Sequence, residues 1–157
     1  MTTSISNSSA TPQTRDKVLL SAAGLAAFTA LLHIFGGGAS VAAPLVESAL
    51  AEEPRLVAFA VWQMASVSMA SSAVALYVAA VPSHASRSRY MVQFVSVLWI
   101  GFGISFLGVA ATQEGDGLFF KLPQWILLLP VGILGLWGVM RQSEAGETTV
   151  PSTGVQG

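Results

Sequence analysis

His33 is an ionisable side chain set inside an apolar run, Leu31-Leu32-His33-Ile34-Phe35, and three glycines follow it, Gly36-Gly37-Gly38. An imidazole can carry a proton, ligate a metal or hydrogen-bond a ligand through either ring nitrogen. Gln63 and Gln124 also fall within or at the edge of apolar runs, and Glu114 and Asp116 lie just past the third run. These five residues are the candidates for ligand or proton binding, because polar groups at membrane depth are costly and serve as functional hypotheses by default. The ordinary alternative makes His33 a helix-terminal histidine bonded to a neighbour. Gln63 then becomes an interhelical hydrogen bond worth under about 2 kcal/mol.

Other chemistries find little support. Bis-histidine haem needs two histidines at one level, and His84 belongs to the 81–89 loop, across the membrane from His33. Zinc needs three or four ligands. No ligand spacing here argues for combining His33 with Glu47, Glu114 or Asp116. Met64 at helical spacing reads as packing. Glu114-Gly115-Asp116-Gly117 is a turn signal, too poor in oxygen ligands for calcium. The chain has no cysteine, which removes thiol catalysis and thiolate sites. No Walker loop, dinucleotide fingerprint, nucleophile elbow or HExxH occurs. No catalytic residue, metal or cofactor is therefore assigned, and the reading leans away from an enzyme. A net charge of −1 gives no electrostatic case for nucleic acid.

The elements that must position these residues follow from composition. Of 157 residues, 53% are hydrophobic and 10% charged, where soluble domains carry about a quarter charged. Apolar runs cover about 18–35, 54–80, 90–111 and 122–140. Each is long enough to cross a hydrocarbon core of about 30 Å at 1.5 Å per residue. A secretory signal peptide competes for the first run, with Gly38-Ala39-Ser40 as its cleavage site, but the run is longer than a signal core and contains His33. The glycines are expected to end the first helix, with a short surface helix in the acidic linker up to Pro54. Pro123 suits a first turn, and Pro130 should kink the last helix. Residues 1–16 and 141–157 are polar and expected to be disordered. The fold class is an all-α integral membrane four-helix bundle, residues 17–140, with disordered termini.

Orientation follows from Lys and Arg. Arg15, Lys17, Arg87, Arg89 and Arg141 lie on one side and Arg55 and Lys121 on the other, five against two of the seven present. Both termini are then cytoplasmic in a multi-pass plasma (inner) membrane protein, and the acidic loops lie outside. Spans in lipid associate through small residues and interhelical hydrogen bonds. The expected stripes are Ala22, Ala26, Thr29, Ala30 and His33; Gln63, Ser66, Ala70, Ala73 and Tyr77; Gln93, Gly101, Ser105, Gly108 and Thr112; and Gln124, Leu128, Gly132 and Gly135. Gly101-x-x-x-Ser105 is also the best place for a homodimer contact. His33 and Gln63, at similar depth on antiparallel neighbours, are expected to face each other.

His33-Ile34-Phe35-Gly36-Gly37, Val61-Trp62-Gln63 and Leu122-Pro123-Gln124-Trp125 together resemble a group of small four-span bacterial membrane proteins with no established activity. The likeness covers about residues 17–140. In that group a histidine often follows the second-span tryptophan, where this chain has Gln63. The resemblance implies a bacterial plasma-membrane location. Three functions fit. The first is a binding or accessory protein with an outward polar pocket around His33, whose partners are the bilayer and a homodimer mate or larger membrane complex. The second is a small transporter using His33 as its proton site. The third is a redox or quinone-reactive subunit in which Phe35, Phe59 and Trp62 accompany His33.

Overall fold

The computed structural model describes residues 15–84 and 87–147. Among them the chain is helical, with no strand. Helix α1 (Lys17–Leu31) passes directly into a π-helical segment (Leu32–Ala42) and then α2 (Ala43–Val46). Next come α3 (Glu52–Ala79), α4 (Arg89–Thr112), the short α5 (Leu118–Lys121) and α6 (Trp125–Glu147). Three helical stretches are long and apolar enough to cross a membrane: Lys17–Val46, Glu52–Ala79 and Arg89–Thr112. The apolar part of α6, Trp125–Arg141, is shorter.

Local chemistry sets the helix ends. Asp16 caps α1, its Oδ1 accepting from the amides of Val18 at 2.9 Å and Leu19 at 3.2 Å. Glu52 and Glu53 occupy the first turn of α3, where the helix dipole favours negative charge. Pro54 follows in the same turn, where its missing N–H costs nothing. Gly117 adopts φ +69°, a left-handed conformation that glycine takes without strain, and it starts α5. Pro130 lies inside α6 and cannot donate to the carbonyl one turn back.

The glycines do not end the first helix. The chain stays helical through Gly36, Gly37 and Gly38, and the Ala43 amide donates to the Gly38 carbonyl, five residues back. Glycine costs about 1 kcal/mol per residue against alanine in a helix. That penalty does not break the helix here. Helix α6 likewise continues past Arg141 to Glu147. Of the tails expected over 1–16 and 141–157, residues 141–147 are therefore helical, and 1–14 and 148–157 lie outside the described residues.

Neighbouring helices run antiparallel. Helix α1 packs on α3 and on α6, and α6 packs on α4. The Asp16 amide donates to the Ala80 carbonyl at 3.2 Å, fixing the start of α1 beside the end of α3. That end carries Arg15, Lys17 and Arg141, and is called the basic end below. The core holds Leu19, Leu76, Trp99, Leu128, Val131 and Val139, each nearly inaccessible. Trp99, which suggests no role in the sequence, is the largest fully buried side chain.

The expected stripes fare unequally. Ala22, Ala26, Thr29 and Ala30 are buried on α1, as are Leu128, Gly132 and Gly135 on α6. On α4 the expected face is wrong: Gly101, Ser105 and Gly108 are exposed. A Cβ added at Gly101 or Gly108 would meet nothing within 4 Å. The buried face carries Val92, Ser96, Trp99, Gly103 and Ala110. A Cβ at Gly132 would come within 2.6 Å of the Ser96 carbonyl oxygen and of Ile100. Gly135 abuts the Ser96 hydroxyl. The glycines of α6 therefore bring its backbone against α4.

Candidate functional site

The alternation of α1, α3, α4 and α6 sets all five candidate residues toward the end opposite the basic one. The structure groups them differently from the expectation. His33 is half-buried, and its imidazole stacks on the Trp62 indole, centroids 5.0 Å apart and planes 21° apart. Phe59 extends the stack beyond Trp62, at 6.2 Å and 9°. Nε2 of His33 is buried and has no hydrogen-bond partner. Phe35, by contrast, is 72% exposed and no part of this stack.

Gln63 does not pair with His33. Its side chain is exposed, while Trp62 occupies the position against His33. Successive residues of an α-helix turn by about 100°. The α3 face against α1 runs through Trp62, Ser66, Met69, Ala73 and Leu76, and Gln63 lies one step off it. This spacing of four and three is a coiled-coil-like seam and is legible in the chain. It puts Trp62, which the sequence set near His33 only in the redox reading, in the place expected of Gln63.

The π-helical segment forms the site's other wall. Cβ atoms built at Gly37 and Gly38 would lie 3.8 and 3.9 Å from the Trp62 ring, so bare backbone stands close to the indole. The wider π-helical turn is rare and recurs at functional positions. Here it begins at Leu32, beside His33.

Gln124 precedes α6 and is half-buried, with Oε1 buried and unpartnered. Glu114 and Asp116 are exposed in the α4–α5 turn. Trp125 donates from Nε1 to the Phe119 carbonyl at 3.2 Å, tying α5 to the start of α6. Most other hydroxyls in the apolar helices bond their own backbone one turn back, as Ser66 does to Trp62 and Thr29 to Leu25. Among the described residues the His33 Nε2 shares its state, buried without a partner, with Ser96 Oγ, Trp99 Nε1 and Gln124 Oε1, and such an atom costs about 1–3 kcal/mol.

Among the described residues no three His, Asp or Glu side chains are grouped to hold a metal. His84 follows the far end of α3, where its Nδ1 lies 2.9 Å from Ser83 Oγ. The rise of α3 from Trp62 to Ala79 separates the two histidines by about 25 Å. No family model, curated protein or solved structure matches the chain.

Proposed function

We propose that this chain is a small multi-span membrane protein of the plasma membrane that binds a ligand at His33 and Trp62 on its outward side. Four spans cross the bilayer, α6 being near the lower limit of crossing length. Both termini are cytoplasmic, by the excess of Lys and Arg at the basic end. One observation carries the binding role: the His33 Nε2 is buried, unpartnered and held in a fixed ring orientation by Trp62. A ligand supplying one hydrogen bond to that nitrogen would relieve the cost of its burial.

The test has two arms. Reporter fusions at Ser83 should read as cytoplasmic and at Gly115 as external, and a cytoplasmic reading at Gly115 would overturn the topology. Native mass spectrometry of protein extracted directly from membranes should show a bound small molecule that is lost in His33→Ala. A variant that keeps the same adduct would overturn the site.

A further inference from the structure

The basic end carries a second arrangement, unrelated to His33. Arg15, Lys17 and Arg141 surround a hollow of about 260 Å³, together with Asp16 and Val18. The Asp16 carboxylate caps α1 through Oδ1 and offsets one of the three positive charges, which leaves the lining a formal charge of +2. The three cations come from the two ends of the helical region, brought together by the packing of α6 on α1, where Gly138 lies against Leu19.

Aromatic rings lie under two of these cations. The Arg15 guanidinium lies 5.8 Å from the Tyr77 ring centroid, and its Nη1 donates to the Tyr77 hydroxyl at 3.5 Å. Arg141 lies 5.4 Å from the Trp137 ring. Cations over rings retain charge for a further partner while their stems lie on apolar surface.

Tyr77 is also the end wall of an apolar groove of about 460 Å³ between α1 and α3. Its walls are Leu20, Ala23, Gly24 and Ala27 on one side and Ala73 and Val74 on the other. The groove runs about 10 Å along α1, from beside the cations toward the middle of the span. A Cβ at Gly24 would meet nothing within 4 Å, so the groove is open there.

We infer that the groove and the cation cluster form one binding site for an anionic phospholipid of the cytoplasmic leaflet. The phosphate lies among Arg15, Lys17 and Arg141, and one acyl chain lies along Gly24 beneath Tyr77. Three cations favour a net negative headgroup over a zwitterionic one, whose own ammonium they would repel. The groove has the direction an acyl chain takes in a bilayer, and its apolar lining offers nothing to a polar ligand. This inference rests on the membrane placement proposed above and is independent of any ligand at His33.

Membrane fractionation with an alkaline wash first checks that placement, and only a pelleting protein enters the test. The purified protein is then transferred to mixed nanodiscs of palmitoyl-oleoyl phosphatidylglycerol and phosphatidylcholine, and retained lipid is read by native mass spectrometry. Phosphatidylglycerol should be retained preferentially. The double variant Lys17→Gln/Arg141→Gln should lower its retention by about thirtyfold, leaving phosphatidylcholine unchanged. Gly24→Trp should block the acyl chain and lower retention with all three cations in place. Equal retention of the two lipids, or a double variant that holds phosphatidylglycerol like the parent, would overturn the inference. So would inorganic phosphate displacing the lipid effect completely, or a protein dimer that Gly24→Trp dissolves without change in lipid selectivity. Melting curves of each variant separate loss of binding from loss of fold.

Discussion

The imidazole of His33 and the indole of Trp62 stack at 5.0 Å across the α1–α3 seam, one helical step away from the glutamine that spacing alone would pair with His33. The same antiparallel register joins Asp16 to Ala80 at the basic end. The two contacts lie at opposite ends of one continuous helix pair. The depth of His33 and of residues 62 and 63 therefore follows from register, and the partner follows from rotation about α3.

Trp62→Ala should destabilise the protein by about 2 kcal/mol. That is less than the 3–5 kcal/mol of a fully buried tryptophan, because Trp62 is half-buried. Gln63→Ala, at an exposed position, should change stability by under about 0.5 kcal/mol. Thermal melting in one detergent compares the two. Equal losses would place Gln63 in the seam after all.

Much of this architecture is legible in the chain. The positions of the apolar helices, the small-residue faces of α1 and α6 and the clustering of basic residues at one end all follow from composition and spacing. The face of α4 does not, because that helix carries small residues on two sides. Gly101, Ser105 and Gly108 catch the eye, yet Val92, Ser96, Trp99, Gly103 and Ala110 recur at steps that sum to sevens and make the buried seam. The π-helical segment is also hidden. Three consecutive glycines signal a helix end in water, and only the packing of the segment beside Trp62 shows that the helix continues through them.

Gly132→Ala should lower stability by about 1–3 kcal/mol, since its methyl group would press on the Ser96 carbonyl, which belongs to a helix backbone and cannot rotate away. Gly108→Leu should leave the melting temperature unchanged or raised, because the position is open and glycine is a poor helix former. Detergent melting curves of both variants check the assignment of the α4 faces. A large loss in Gly108→Leu alone would reverse it.

Asp16→Ala should cost about 1 kcal/mol, the usual worth of an N-cap. The loss falls first on the amides of Val18 and Leu19, which Asp16 now satisfies. Hydrogen exchange should therefore accelerate in the first turn of α1 before any change appears at the Trp62 end. Unchanged exchange at those amides would mean that the cap contributes nothing.

The two histidines provide an internal comparison for the π-helical segment. His84 is exposed in the loop after α3, whereas the His33 Nε2 is buried against the α1–α3 seam. Diethyl pyrocarbonate, read by peptide mass, should modify His84 readily and His33 slowly. The π-helical segment runs close to both rings, since a Cβ built at Gly37 would lie 3.8 Å from Trp62 Nε1 and 3.9 Å from His33 Nδ1. An alanine methyl at Gly37 would sit at an ordinary contact distance, 3.8 Å from Trp62 Nε1, so Gly37→Ala should keep the protection. A leucine there needs the space the indole occupies. Gly37→Leu should push Trp62 off the stack and raise the His33 rate toward that of His84, with His84 unchanged. If His33 stays protected in Gly37→Leu, the stack is held by something other than bare backbone, and the glycines serve helix geometry alone.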